Sequence, residues 1–428
     1  MTEINSGDTA WVLMSTALVL LMTAPGLALF YGGMVRVKST LNMMMMSFGA
    51  LLVIAIVWVT FGYSMTFGRP LAATGGLFGD PGEFFGLKGL MNTEAVAING
   101  GEYPIPAVAF VAFQAMFAVI TVALISGAIA DRARFGPWLI FAIVWAILVY
   151  FPVARAVFYF GNAEGEDGGF IATGIKAIDF AGGTAVHINA GAAGLALAII
   201  LGRRYGFGKQ AMRPSNLPMV MTGAALLWFG WFGFNAGSAL GANGLAGIAF
   251  INTVAATAAA SLAWLAVERI RDKHATSLGA ASGIVAGLVA ITPACAAVDI
   301  WGALAIGVIA GVLAALAVGL KYRFKYDDSL DVVAVHLVSG LVGTILIGFF
   351  AVGEVGLFYG GDSSQLVKQI TAALIVTGYS LVATLIVGLV ISKVTRFRVT
   401  KNEEQEGVDV TLQAESAYDF EASSGGVR

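Results

Sequence analysis

The chain has 428 residues, 58% of them hydrophobic and only 12% charged, with a net charge of −2 and a mean hydropathy of +0.85. Soluble domains carry about 25% charged residues, so a water-exposed globular surface is excluded and a polytopic membrane protein is predicted. The near-neutral balance gives no footing for a nucleic-acid partner, and the single Cys295 excludes both an intrachain disulfide and a cysteine cluster for metal.

The apolar runs are long and continuous rather than alternating. They predict helices of about 20 residues each, not the strands of a barrel. The first stretch, "MTEINSGDTAW", places no Lys or Arg ahead of its apolar run. It lacks the basic segment of a cleaved signal peptide, so the run is read as a retained span. Eleven spans are predicted: 9–32, 40–66, 106–130, 137–158, 179–201, 216–238, 246–267, 277–296, 301–320, 332–356 and 367–392. Charged or turn-rich joints separate them, among them "DRARFG", "GRRYGFGKQAMRPSN", "ERIRDKH" and "KYRFKYDDS". The 55 glycines suit this class, because small residues let helices approach closely in a bilayer.

Nineteen of the 24 Lys and Arg residues lie in the joints after spans 1, 3, 5, 7 and 9 or in the tail. Basic residues favour the cytoplasmic side, so the N-terminus is predicted outside and the C-terminus in the cytoplasm. The chain then divides into a membrane domain, 1–394, and a polar cytoplasmic tail, 395–428. The longest external loop, 67–105, is expected to hold some local order.

Two of the three histidines occur in matching stretches, "AVHINAGAAG" in span 5 and "AVHLVSGLVG" in span 10. Spans five apart cross the bilayer in opposite directions. The repeat therefore predicts an inverted-topology fold, spans 1–5 against 6–10 with span 11 added. At about 100° per residue, His187, Gly191 and Gly194 share a helix face, as do His336, Gly340 and Gly343. Packing these smooth faces brings the imidazoles together near mid-bilayer. Intramembrane ionisable groups are functional by default. The alternatives are interhelical hydrogen-bonding glue or a two-histidine metal site, and no Cys or carboxylate stands at matching spacing for the metal. His274 falls in a charged joint and reads as a surface residue.

Asp179 opens span 5 and Asp331 opens span 10. Each reads as an N-cap or as a buried anion favouring a passing cation. Aromatic residues recur in "GLALFYGG", "AFQAMFAVIT" and "WFGWFGFNAGS". Ring faces hold small cations by about 2 kcal/mol when desolvated. With no carbonyl filter or acidic ring, a passage lined by Phe and neutral His suits a small neutral molecule better than a hydrated ion.

The motifs "DFAGGTAVHINAGAAGL" (179–195), "WFGFNAGSA" (231–239), "ITPAC" (291–295) and "DDSLDVVAVHLVSGLVG" (327–343) together resemble the ammonium transporter family (Amt/Mep/Rh), on its bacterial Amt side. "GLALFYGG" (26–33) agrees, and "EGVDVTLQAESAY" (406–418) resembles the family's cytoplasmic C-terminal motif. The resemblance implies a homotrimer in the inner membrane with one pore per subunit, no cofactor, no bound metal and no enzymatic activity. His187 and His336 match the twin pore histidines, and Phe117 and Phe234 the phenyl gate. Phe117, Phe158 and Ser238 match the external recruitment site, with Asp179 supporting it. Phe30, Trp231 and Thr292 match other pore-region positions. Phe158 stands where the family often has Trp, a stronger cation–π partner, and Arg155 where His is frequent. Gln413-Ala414-Glu415 replaces a common His-Gly-Glu.

The implied activity is transport of ammonium or ammonia, with methylammonium as a candidate analogue and a PII-type regulator as a candidate partner at the cytoplasmic face. An ammonium sensor and an Rh-like ammonia or carbon dioxide channel are the rival readings. A membrane enzyme finds no nucleophile–base pair in the sequence.

Overall fold

The computed structural model describes residues 3–92, 95–99, 101–161 and 168–418. Residues 419–428, the end of the predicted tail, lie outside the described residues. Ten described helices are long and apolar enough to cross a bilayer: α1 (Ser6–Met34), α2 (Val37–Phe67), α3 (Ala107–Ile129), α4 (Phe135–Phe158), α5 (Gly183–Leu201), α6 (Leu217–Ala239), α7 (Gly244–Arg271), α9 (Ile300–Phe324), α10 (Val333–Phe350) and α11 (Ser364–Val394). Between α7 and α9 lies a shorter apolar helix, α8 (Ser277–Ile291). Its 15 residues rise about 22 Å, less than the ~30 Å hydrocarbon core. The helix predicted to reach 296 instead breaks into turns after Ile291.

The helix starts follow from polar residues at the ends of the apolar runs. The first N–H groups of a helix have no partner in their own turn, and a short polar side chain supplies one. Asn5 accepts from Gly7 and Asp8, Asn216 from Met219, Asn243 from Ala246, Thr276 from Gly279 and Asp299 from Gly302. The span predicted from 179 begins at Gly183, because Asp179 precedes the helix and caps it from a loop. The span predicted to 356 ends at Phe350, where the chain turns extended at Ala351. Inside the predicted 67–105 loop, β1 (Ala95–Ile98) and β2 (Gly101–Pro106) form an antiparallel ribbon with Ala97 opposite Glu102 and Ile98 opposite Gly101.

Small residues set the helix spacing. A Cβ on Gly287 would lie 2.8 Å from the Thr257 Cα, so α8 meets α7 with backbone nearly touching backbone. The face carrying the N-terminus joins Asn5 to Pro104 through a 2.8 Å backbone bond and Asp8 to the Ala242 amide, also at 2.8 Å.

The opposite face carries the tail, which docks on the joints rather than hanging free. The Arg134 amide donates to the Phe397 carbonyl at 2.9 Å, and Val399 to Arg132 at 3.0 Å. A short helix, α12 (Lys401–Glu406), follows with Thr400 and Glu403 forming a capping box. Arg204 bridges Asp131 and Asp327, both at 2.8 Å, and Arg36 reaches Asp131 at 3.1 Å. Burial pushes the Asp131 carboxyl up, but Arg204 and Arg36 outweigh it and hold the group below the usual carboxylate range. Glu404, itself buried, joins this network through Arg36 and Arg398. Asp409 accepts from the Leu41 and Asn42 amides in the first turn of the second span.

Candidate functional site

Both histidines sit in widened, π-helical turns, Gly183–Ile188 and Val333–Val338, each running directly into a regular helix. Such turns concentrate at functional positions because the extra residue rotates the side chains that follow. Asp179 holds the first turn in place. Its Oδ1 accepts from the Gly182 and Gly183 amides at 2.7 and 2.6 Å, and its Oδ2 from the Thr184 amide at 2.8 Å and the Thr184 hydroxyl. The capping alternative for Asp179 is therefore realised.

Asp331 does not cap the second turn. Asp328 takes the Val333 amide at 2.7 Å, while Asp331 pairs with Lys321 at 2.6 Å. The "DDSLD" run places three carboxylates within five residues, and only the folded loop decides which one faces the helix start.

The two helices cross antiparallel through reciprocal contacts. A Cβ on Gly191 would meet the Leu337 amide nitrogen at 2.5 Å, and one on Gly194 would meet Val332 at 3.0 Å. A Cβ on Gly340 would meet Ile188 at 3.1 Å and His187 at 3.3 Å. Gly343 instead packs on the Ala290 backbone in α8, so the predicted glycine face of α10 is shared between two neighbours. The crossing sets the imidazoles parallel, with centroids 5.4 Å apart and planes 14° apart. Their Nδ1 atoms are 3.3 Å apart. Neutral imidazole carries one proton on its two nitrogens, so a bond between two Nδ1 atoms requires one donor ring and one acceptor ring. The Nε2 of His187 is buried with no hydrogen-bond partner among the described residues.

Aromatic rings cover this pair on the N-terminal side. Phe117 and Phe234 stack with centroids 4.3 Å apart and planes 29° apart. Phe234 lies 5.9 Å from His187, and Trp231 stacks on His187 at 5.3 Å and 17°. The Trp231 Nε1–H donates to the Thr292 hydroxyl at 2.8 Å, which in turn donates to the Leu288 carbonyl at 2.7 Å. That chain fixes the indole plane against the imidazole. Above the phenyl pair, Phe117, Phe158 and Ser238 line one cavity of about 90 Å³. The Ser238 hydroxyl donates to the Phe234 carbonyl at 2.8 Å, which leaves its oxygen lone pairs as acceptors. Below the rings, Phe30, Trp231, Phe234 and both histidines border a space of about 10 Å³, close to the minimum for one water-sized molecule.

All ten sequence-predicted residues thus lie on or beside one line through the bundle. Arg155 stands apart. It is buried, and it donates to the Thr66, Gly68 and Gly76 carbonyls at 2.9, 2.7 and 2.9 Å, tying the loop after α2. His274 is exposed. Sequence reasoning missed Gln114, Phe113 and Phe180, which also line the upper cavity. The first two stand in "AFQAMFAVIT", three and four residues before Phe117, so helical spacing carried a signal for Phe113.

A multi-pass helical membrane protein with a small, buried, aromatic-covered space between its helices is the class these features define. The chain belongs to the ammonium transporter family: the model for the Ammonium Transporter Family matches residues 10–418. An ammonium transporter of Mycobacterium bovis is 56% identical, covering 99% of this chain and 92% of the relative. The crystal structure of Mep2 from Saccharomyces cerevisiae superposes with a TM-score of 0.84 at 31% identity, covering 94% and 89% of the two chains. A solved structure described as a sensor Amt protein gives 0.85 at 29% identity, covering 95% and 98%.

Proposed function

We propose that the protein moves ammonium across the membrane by taking up the cation, removing its proton and passing ammonia through the histidine-lined space. The observation that carries this reading is the imidazole pair, held Nδ1 to Nδ1 at 3.3 Å in apolar surroundings with the His187 Nε2 left without a partner among the described residues. A buried polar atom without a partner costs about 1–3 kcal/mol. A small hydrogen-bonding guest relieves that cost, and a hydrocarbon does not.

In this reading the cation rests first between the Phe117 and Phe158 rings and the Ser238 oxygen, with Asp179 behind. Moving past the stacked phenyl pair strips its water. Burial in low dielectric disfavours the charged form and lowers the ammonium pKa, so the proton leaves there and crosses separately, relayed along the histidine pair, which makes the net transport carry charge. Ammonia then meets His187 and His336, whose shared Nδ1 proton lets one ring accept while the other donates. A bare alkali ion has no proton to shed and meets only the desolvation cost. Trp231, Thr292 and Phe30 keep the walls rigid and dry. Residues 1–394 form the conducting unit and 395–428 a cytoplasmic tail, with the N-terminus outside, in an inner-membrane homotrimer. A PII-type protein is the proposed regulator at the tail face.

The test is ammonium-evoked current in proteoliposomes. His187→Ala combined with His336→Ala should abolish ammonium-selective current, and unchanged selectivity in that variant overturns the role of the pair. The sensor reading draws on the similarity to the sensor Amt protein structure and on the docked tail. Growth of a transporter-null strain on limiting ammonium separates the two, since a pure sensor does not restore uptake.

A further inference from the structure

On the tail face, a cavity of about 370 Å³ opens where the chain leaves α11. Arg134, Arg396 and Arg398 contribute to its wall, together with Ser392 and the apolar Leu201 and Phe397. Two of the guanidiniums are committed. Arg134 pairs with Glu403 at 2.6 Å. Arg398 reaches Glu404 at 3.1 Å and the Arg203 carbonyl at 2.6 Å. Arg396 is exposed and makes no ion pair or hydrogen bond among the described residues. Two further donors are unused: the Ser392 hydroxyl and the Arg134 Nε are buried without partners. Glu403 and Glu404 offset Arg134 and Arg398, so Arg396 leaves the cavity net positive, with exposed Lys393 beside it.

We infer that this cavity binds the phosphate-bearing headgroup of an anionic phospholipid. Three points favour an amphiphile over a free anion. The cavity begins at the last turn of a membrane-spanning helix, the depth at which headgroups lie. Ile200, Leu201, Phe397 and Val399 make part of its wall apolar, which phosphate alone leaves uncovered. Ile199, Val390 and Val394, 55%, 54% and 75% exposed beside it, offer an apolar path for an acyl chain. Basic pockets between helices on the cytoplasmic side suit such headgroups. The site lies on the backbone ladder that docks the tail, Arg134 to Phe397 and Val399 to Arg132. Its occupant therefore bears on how the tail is held.

Native mass spectrometry of the full-length, delipidated protein tests this, with dimyristoyl phosphatidylglycerol, dimyristoyl phosphatidylcholine and inorganic phosphate as probes. The expected result is tighter first-site binding of phosphatidylglycerol than of phosphatidylcholine, by about fivefold, the value of one basic side chain near the surface. Arg396→Gln should remove that preference, Arg396→Lys should retain most of it, and Ser392→Ala should weaken it about twofold. Equal binding of the two lipids, or an unchanged preference in Arg396→Gln, overturns the site. Displacement of phosphatidylglycerol by equimolar phosphate makes it a free-anion site and overturns the lipid assignment.

Discussion

Gly191→Ala tests whether the helix crossing sets the imidazole pair. The new Cβ would lie 2.5 Å from the Leu337 nitrogen and 2.7 Å from its Cα. Backbone atoms in a packed helix cannot swing aside. Reaching the 3.4 Å at which ordinary contact begins requires about 0.9 Å of separation. The Nδ1 atoms, 3.3 Å apart, would then exceed 4 Å and lose their hydrogen bond. Overpacking of this kind costs about 1–3 kcal/mol, against which Ala recovers roughly 0.5–1 kcal/mol of backbone entropy. The net expectation is a loss of about 1–2 kcal/mol and most of the ammonium current. Gly340→Ala is the matched control. Its nearest neighbours are the Ile188 Cγ1 at 3.1 Å and the Gly183 oxygen and His187 Cβ at 3.3 Å. A shift of a few tenths of an ångström suffices there, so stability should be unchanged or up to about 1 kcal/mol higher. Thermal unfolding in detergent and proteoliposome currents read both. Equal behaviour of the two variants would refute the claim that backbone contact at Gly191 positions the rings.

Thr292→Val removes the acceptor of the Trp231 N–H and should destabilise by about 1–3 kcal/mol, seen as a lower melting temperature, while Thr292→Ser should restore most of it. Burial, and then the Asp331 charge, pushes the Asp328 carboxyl up to about 6. A raised acid favours the folded state while protonated, so the Asp328 contribution to stability is full below about pH 4 and is lost as pH rises through 6. Asp328→Asn should flatten that part of a melting-temperature profile. Glu404→Ala removes one carboxylate partner each from Arg36 and Arg398, which keep Asp131 and the Arg203 carbonyl, and takes the acceptor from the Tyr205 amide. It should weaken tail docking by about 1–3 kcal/mol, measured as faster limited proteolysis near 395–418.

Composition alone settled the membrane class, because 12% charge cannot clothe a soluble surface of this size. Span locations were legible because hydropathy integrates over twenty residues and tolerates local error. The repeated Ala-Val-His stretches announced the antiparallel histidine pair, since glycines at helical spacing mark where a second backbone comes close. Helix ends were less legible. Asp179 lies four residues ahead of the helix it caps, α8 stops five residues short of its apolar run, and the widened turns leave no periodic mark. Which carboxylate in "DDSLD" caps a helix and which pairs with Lys321 depends on the path of one loop. The tail reads as free polar chain until Glu403, Glu404 and Asp409 meet partners in joints more than 190 residues away. The residue types around the histidine pair were thus decided locally, by hydropathy and spacing. The spacing of its rings, the partner of each carboxylate and the cavity beside Arg396 depend on contacts between distant segments, and only packing in three dimensions sets those.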